Sequence, residues 1–282
     1  MKKYGIVTDS TVYLTEKQRT DNNIGVASLN VVESTISHRE VDVDNEFIFA
    51  KQAKGVKFTT SQPAPGEFLD LYEEKFKQGY EKIFVVLISS NISGTFQSAE
   101  LARNMLDDPS KVYLFDTQLA AFGTEMIALE LIDMIDADKT AEEIIERIDR
   151  ILGISNEMFT AENLFSLARG GRLSVASAAL GTVLKVKPII KIVKGKLQLV
   201  NKERTYAKVH NYILKNIKED IGTLKKLTFR ITNTHSLESA EKLREFILLN
   251  FPNAKLTFTS YLGPVFSIHV GYKGYGLSWF AE

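Results

Sequence analysis

The sequence predicts an α/β fold with two domains, an N-terminal three-layer domain on a parallel sheet and a C-terminal domain on a mixed sheet. In the first half, apolar runs of strand length alternate with segments of helical periodicity, which is typical of a parallel sheet with helices on both faces. Further on, a hairpin signal around Lys194-Gly195 appears among crossover helices, so the second sheet is expected to be mixed. We place the domains at residues 1–156 and 157–282, with a ligand tunnel between them.

The elements of the first half follow from their apolar patterns. Strands are predicted at residues 4–7, 24–32, 83–88 and 112–115, with an extended segment at 60–62. Helices are predicted at residues 67–78, 96–106, 119–135 and 142–152, with one or two helical turns at 47–50. Pro63 disfavours helix at Gln62, because the proline ring clashes with the residue before it. Thr140 and Glu143 form the signature of a capping box before the helix at 142–152.

The elements of the second half are predicted in the same way. Strands are expected at residues 188–193, 196–200, 227–232, 256–260 and 265–270. Helices are expected at residues 175–184 and 237–251, with a third that ends near residue 220. Ser174 is a candidate cap for the first of these helices.

The composition indicates a globular protein and excludes several kinds of chemistry. The 282 residues are 44% hydrophobic and 25% charged, and 35 basic residues balance 35 acidic ones, so no overall field favours nucleic acid. The sequence has no cysteine, which excludes disulfides, thiol nucleophiles and cysteine-ligated metals. The N-terminal apolar run is too short for a signal peptide, and no stretch reaches the roughly 18–20 apolar residues of a membrane span. We therefore expect a cytoplasmic protein.

A small polar loop after the strand at residues 83–88 is the main candidate binding element. It consists of Ser89, Ser90, Asn91, Ile92, Ser93, Gly94 and Thr95. A strand, a polar loop and a helix in this order aim backbone N–H groups and hydroxyls at an anion. An ordinary turn between strand and helix is the alternative, because Ser, Asn and Gly are also common turn and cap residues.

Four other segments could contribute to such a site. Residues 8–11 follow the first strand, where open α/β sheets build their ligand crevice, although Asp9 or Ser10 could simply cap the next helix. Thr60 and Ser61 lie in a proline-stiffened loop and are either exposed donors or part of a plain connection. Residues 169–172 read Arg-Gly-Gly-Arg, which indicates a tight turn with cationic side chains. His269 lies in a predicted strand with glycines on both sides, and is either structural or part of a site.

Common catalytic and nucleotide-binding motifs are missing from the sequence. It contains no phosphate loop, dinucleotide fingerprint, nucleophile elbow or His-Glu-x-x-His helix. The histidines have no ligand-like spacing, so we expect no metal. A triad of Ser93 and His269 with Asp9 or Asp116 can be drawn, but nothing in the sequence supports its geometry. The convergent hydroxyls, glycines, arginines and histidine favour anion binding over catalysis.

Several short motifs, taken together and in order, resemble the DegV family of bacterial fatty-acid-binding proteins, which includes the FakB subunits of fatty acid kinase. The similarity runs nearly end to end. The motifs are Thr8-Asp9-Ser10-Thr11, Thr60-Ser61-Gln62-Pro63, the loop from Ser89 to Thr95, Asp116-Thr117, Gly170-Gly171-Arg172, Lys187-Pro188-Ile189-Ile190, and Gly263-Pro264 with His269-Val270-Gly271.

The resemblance implies that one long-chain fatty acid lies in a tunnel between the domains. It implies that the carboxylate is held by Thr60, Ser93 and His269, with Ser61, Gly94 and Thr95 beside them. It places Arg204 near the head group and links Arg172 to phosphorylation.

In such a system a separate ATP-binding kinase subunit converts the bound acid to an acyl phosphate for phospholipid metabolism. The carrier itself is not an enzyme and needs no cofactor besides its fatty acid ligand. The resemblance implies no nucleic acid partner and leaves transient membrane contact open. The missing nucleotide loop agrees with this division of labour.

Elementary energetics agree with a fatty acid ligand. Burial contributes roughly 0.8 kcal/mol per methylene, so about a dozen methylenes can outweigh the cost of immobilising the chain. A buried carboxylate must be hydrogen-bonded, which two hydroxyls and an imidazole can do. Two alternatives remain at this stage. One is a stand-alone serine hydrolase using Ser93 and His269, and the other is a small-anion sensor of the same fold without a long apolar tunnel.

Overall fold

The computed structural model describes residues 3–162, 164–174, 186–258 and 261–282, which form an α/β protein with two main sheets. The strands are β1 Tyr4–Asp9, β2 Ile24–Ala27, β3 Asn30–Glu33, β4 Ile36–Arg39, β5 Phe58–Ser61, β6 Lys82–Leu87, β7 Val112–Asp116, β8 Asn156–Thr160, β9 Lys187–Val193, β10 Lys196–Glu203, β11 Leu227–Asn233, β12 Lys255–Phe258 and β13 Tyr275–Ala281. The helices are α1 Glu16–Asp21, α2 Asn45–Ala53, α3 Pro65–Lys77, α4 Thr95–Asn104, α5 Ala121–Asp136, α6 Ala141–Ile154, α7 Phe165–Arg169, α8 Tyr206–Ile221, α9 Leu237–Asn250 and α10 Pro264–Val270.

The first sheet confirms the predicted parallel three-layer arrangement. Its order is β2-β1-β6-β7, and every neighbouring pair is parallel. Alternate residues of β6 face opposite layers: Val85 packs towards α3 and α4, whereas Phe84 packs towards α5 and α6. Both faces are buried, which explains why β6 is a continuous apolar run.

Helix α5 lies between the first sheet and the second. It contacts β6 on one side and β13 and β11 on the other. The helix predicted at residues 119–135 is nearly all apolar, and α5 is accordingly buried around most of its circumference. Glu157 on β8 fastens its beginning, because the carboxylate accepts a hydrogen bond from the Ala120 backbone N–H at 3.1 Å.

The second sheet is mixed, as predicted. Its order is β10-β9-β8-β13-β11-β12, and among these pairs β11 and β12 are parallel while the others are antiparallel. Helices α8 and α9 cover one face and complete a second apolar core. The predicted hairpin of β9 and β10 is confirmed. Lys194 and Gly195 at its turn both have positive φ, 49° and 74°, which suits a tight two-residue hairpin.

The predicted strand at residues 24–32 is in fact two strands. Strand β2 joins the parallel sheet, whereas β3 lies between β4 and β5 in a small antiparallel sheet. The ladder breaks at Ser28 and Leu29, because their backbone N–H groups donate to side chains instead of to a neighbouring strand. The Ser28 N–H donates to Glu67 Oε1 at 2.8 Å, and the Leu29 N–H donates to Ser10 Oγ at 3.0 Å. The extended segment predicted at residues 60–62 belongs to β5.

The predicted strand at residues 265–270 is wrong, because this segment is helix α10. Pro264 occupies the first turn and Gly271, with φ of 85°, ends the helix. Val265 and Ile268, three residues apart, both pack into the apolar cluster beneath α2. Periodicity cannot separate a strand from a buried helix in so short an apolar run. The central strand β13 was not predicted.

Of three further expectations, the structure bears on one. The capping box at Thr140 is confirmed at the beginning of α6. The helix predicted at residues 175–184 lies outside the described residues. The first sheet uses strands that end by Asp116 and the second uses strands from Asn156 onwards, while the domain boundary at residue 156 stays a prediction.

None of the helices within the described ranges combines the length and the apolar character that crossing a membrane requires.

Candidate functional site

A small cavity, here called the acyl cavity, lies among residues from both halves of the chain and has a volume of about 40 Å³. Its apolar lining consists of Leu29, Ile88, Ile92, Ala120, Phe159, Leu167, Leu197, Val265, Phe266 and Val270. Its polar lining consists of Thr60, Ser61, Ser93, Arg172 and His269. The structure therefore brings together five of the predicted site residues on one otherwise apolar wall.

Thr60 and His269 meet although they are 209 positions apart in the sequence. Strand β5 presents Thr60 and α10 presents His269, and the Thr60 Oγ1 to His269 Nε2 distance is 2.8 Å. Burial, and then the nearby positive charge of Arg172, lower the pKa of His269 to about 4. The imidazole is therefore neutral at physiological pH, and a second positive charge beside Arg172 is avoided.

Two glycines allow Arg172 to approach His269. A Cβ atom on Gly170 would lie only 3.0 Å from His269 Cε1 and 3.3 Å from Arg172 Nη1, so the backbone here must lack a side chain. Gly171 has φ of 77°, in the left-handed region that favours glycine. The predicted tight turn is present, directly after α7.

Arg172 is a half-buried cation without an acidic partner among the described residues. Its Nε donates to the Ile92 carbonyl at 3.1 Å, and its Nη1 donates to the Gly170 carbonyl at 2.5 Å. Burial lowers the pKa of the guanidinium. Two carbonyls orient the group but do not neutralise it, so an anion in the acyl cavity would supply the missing charge.

The Ser89–Thr95 loop serves both as a turn and as part of the cavity wall. Ser93 lines the cavity, and its hydroxyl is 2.8 Å from that of the buried Thr95. Thr95 is the first residue of α4, and its contact with Ser93 fixes that side chain. Gly94 is the N-cap of the helix and lies against the Gln62 side chain. The loop therefore presents one hydroxyl, that of Ser93, to the cavity.

The triad that can be drawn from Ser93, His269 and an aspartate is not assembled in the described structure. Asp9 accepts hydrogen bonds from the backbone N–H groups of Thr11 and Ile88, both at 2.9 Å. Asp116 accepts from Ser90, at 3.0 Å from its N–H and 2.5 Å from its hydroxyl. Both aspartates hold the loops at the carboxyl edge of the parallel sheet, and neither contacts His269. The alternative that Asp9 is a cap is correct.

Arg204 does not line the cavity that holds Thr60, Ser93 and His269. It is exposed in the connection between β10 and α8, and it lines neither the acyl cavity nor the cavity beside it. Its head-group role stays a prediction.

A second cavity, here called the outer cavity, adjoins the polar end of the first and has a volume of about 210 Å³. It shares Thr60, Arg172 and His269 with the acyl cavity. Its own lining consists of Gln52, Val56, Lys57, Phe58, Thr59, Ser166, Arg169, Gly170 and Ile268. Lys57 was missed by sequence reasoning, and only its position three residues before Thr60 could have drawn attention to it.

A larger cavity, about 580 Å³, lies elsewhere and has a mainly acidic charged lining that includes Glu40. Glu40 is fully engaged by protein donors: Ser10 Oγ at 2.5 Å, Tyr13 Oη at 2.7 Å and the Val265 N–H at 3.0 Å. Burial raises the pKa of this carboxyl to about 7. The bond to Val265 fixes the beginning of α10, so we assign Glu40 a structural role.

Across the described parts of the chain, no group of three or more His, Asp or Glu side chains is placed to hold a metal ion.

The fold and the site define an α/β protein with one parallel and one mixed sheet and a largely apolar cavity ending in hydroxyls, an imidazole and an arginine. The chain belongs to the DegV family, whose sequence model, described as "Uncharacterised protein, DegV family", matches residues 3–282. This match confirms the family resemblance.

Three relatives show how closely the chain follows this family. A DegV domain-containing protein of Listeria innocua is 32% identical over 280 residues, covering 99% of this chain and 98% of the relative. A DegV family protein from Thermus thermophilus, described for its fatty acid binding, has a TM-score of 0.92 and 28% identity, covering 99% of this chain and 100% of the other. DegV from Bacillus subtilis, described as a fatty acid binding protein, has a TM-score of 0.85 and 29% identity over the full length of both chains.

Proposed function

We propose that this protein binds one long-chain fatty acid, with its acyl chain in the acyl cavity and its carboxylate on Thr60, Ser93 and His269. The observation that carries the proposal is Arg172, a half-buried cation without an acidic partner among the described residues, at the polar end of an apolar cavity. The fatty acid binding described for the Thermus thermophilus and Bacillus subtilis proteins supports the same ligand class.

The acyl cavity must widen to accept such a ligand. A volume of about 40 Å³ is small for a long acyl chain, so we expect the cavity to open when it binds one. Binding therefore moves apolar side chains apart. Phe266 and Leu197 line the cavity and are only partly buried, so they are suited to such a movement. About a dozen buried methylenes contribute roughly 10 kcal/mol, which can offset the costs of opening and immobilisation.

The head-group residues can satisfy a carboxylate without a buried ion pair at the imidazole. Thr60 and Ser93 provide hydroxyl donors, and a neutral His269 provides one N–H or one acceptor, depending on its tautomer. A bound carboxylate favours the protonated ring, so binding is expected to raise the pKa of His269 from its value of about 4.

We further propose that the protein presents this carboxylate to a separate ATP-binding kinase subunit, which converts the acid to an acyl phosphate. The sequence lacks a phosphate loop, so the nucleotide would have to come from a partner. The outer cavity supports this assignment, because it meets the head-group residues on the side away from the apolar lining.

The ligand is tested directly by mass spectrometry of lipid extracted from the denatured, purified protein. We expect one fatty acid in an amount close to that of the protein, and only background lipid would contradict the proposal. In displacement of a fluorescent fatty acid, Ser93→Ala should weaken binding, whereas the exposed Ser37→Ala on β4 is the matched control.

The kinase part is tested separately with the loaded protein and radiolabelled ATP. Label should enter the fatty acid only after addition of the ATP-binding subunit of fatty acid kinase. Transfer in its absence, or none in its presence, would refute the division of labour and leave fatty acid binding unaffected.

A further inference from the structure

The outer cavity differs from the acyl cavity in its charge. Its charged lining residues are Lys57, Arg169 and Arg172, and no acidic side chain belongs to its described lining. Within the described ranges, none of the three forms an ion pair with a carboxylate, although surface ion pairs occur on many other lysines and arginines of the chain. Three uncompensated cations around one concave space attract negative charge.

The position of these cations relates them to the head group. Lys57 directly precedes β5, which carries Thr60, and Arg169 ends α7, immediately before the glycine turn that carries Arg172. Thr60, Arg172 and His269 form the partition between the two cavities, since they line both. A ligand atom bound to these three residues from the apolar side is therefore next to the space that Lys57 and Arg169 enclose.

A bound carboxylate would make no contact with Lys57 or Arg169 in the outer cavity. Its two oxygens can be satisfied by Thr60, Ser93 and His269, with the charge balanced by Arg172. A phosphate carries more oxygens and up to twice the charge, and arginine and lysine are its usual partners in proteins. A volume of about 210 Å³ gives room for such a group and the waters around it.

We infer that the outer cavity is a phosphate subsite, and that Lys57 and Arg169 hold the phosphate of an amphiphile whose chain occupies the acyl cavity. This inference rests on the proposed function, because it requires the chain to lie in the acyl cavity. It extends the ligand class from fatty acids to single-chain amphiphiles with a phosphorylated head group, which are either phosphorylated acids or lysophospholipids.

The test compares two ligands of equal chain length, hexadecanoate and hexadecyl phosphate, a stable alkyl monophosphate. Their affinities are measured by displacement of a fluorescent fatty acid from the wild type and from Lys57→Gln, Arg169→Gln and the double variant. We expect each single variant to weaken hexadecyl phosphate about threefold to fivefold, a range suited to exposed charges, and hexadecanoate by less than about twofold. Lys54→Gln, an exposed lysine outside the cavity lining, controls for loss of one surface charge.

The outcomes separate the inference from the proposed function. Failure of hexadecanoate to bind the wild type would contradict the proposed function itself. Normal hexadecanoate binding with no binding of hexadecyl phosphate, or with equal losses for both ligands in the variants, would overturn the phosphate subsite alone. A third ligand, 1-hexadecanoyl-glycerol 3-phosphate, distinguishes the sources. If it shows the same dependence on Lys57 and Arg169, lysophospholipids belong to the ligand class, and if hexadecyl phosphate alone shows it, the ligand is a phosphorylated acid.

Discussion

Replacing Glu157 by Gln should change how the stability of the protein depends on pH. Burial raises the pKa of this carboxyl from 4.5 to about 8, although backbone N–H groups of Ala120 and Gly123 act in the opposite direction. Each unit of pKa shift corresponds to about 1.4 kcal/mol, so the shift is equivalent to at most about 5 kcal/mol. Glutamine keeps an oxygen that can accept the Ala120 N–H and has no proton to lose.

The direction of the effect follows from proton binding. Between pH 4.5 and about 8 the folded protein keeps a proton on Glu157 that the unfolded chain has released, so rising pH favours unfolding. The stabilisation is fully present below pH 4.5 and is lost as the pH passes 8. Wild type should therefore lose up to about 4 kcal/mol of unfolding free energy relative to Glu157→Gln between pH 5 and pH 9.

Urea unfolding at pH 5, 7 and 9 measures this difference. The two proteins should be within about 1 kcal/mol of each other at pH 5 and should diverge steadily above it. Glu16→Gln on the exposed surface of α1 controls for loss of one negative charge. Parallel pH profiles for wild type and Glu157→Gln would refute the reasoning, because they would mean that the carboxyl ionises without cost in the folded protein.

Three other substitutions test the site and the core. Thr60→Val removes the hydroxyl that contacts His269 and should weaken fatty acid binding about tenfold in a displacement assay, whereas unchanged affinity would remove Thr60 from the site. Gly170→Ala puts a methyl group 3.0 Å from the imidazole and should weaken fatty acid binding with a smaller effect on melting temperature; equal affinity would show that the ring can shift freely. Arg230→Leu removes the arginine that pairs with buried Glu125 and should cost about 3–5 kcal/mol in urea unfolding, while Arg230→Leu with Glu125→Leu should recover most of this loss; no recovery would assign the loss to packing.

The first half of the fold was predictable because its signals are local and consistent. The apolar run of β6, the capping box at Thr140 and the proline before α3 each act within a few residues of their own position. In α10 the local signals conflict, since Val265 and Ile268 favour a strand by composition while Pro264 and Gly271 mark the ends of a helix. The packing of Val265 and Ile268 against α2 decides in favour of the helix. A local sequence pattern cannot reveal this contact, because α2 is distant in the sequence.

The site was predictable only in its parts. Residues alone indicated hydroxyls, glycines, arginines and a histidine, and the family resemblance selected Thr60, Ser93 and His269 from them. The meeting of Thr60 with His269 depends on two elements 209 positions apart, which no local pattern relates. Lys57 resembles any exposed lysine until the fold places it in the wall of the outer cavity.

The partition formed by Thr60, Arg172 and His269 has two faces, and each face lines a different cavity. The inner face touches whatever occupies the acyl cavity, and the outer face lines the outer cavity. An anion bound inside offsets the charge of Arg172, so the electrostatic potential of the outer cavity falls when the protein is loaded. A second protein docking there could distinguish loaded from empty copies by charge alone, without any rearrangement of the backbone.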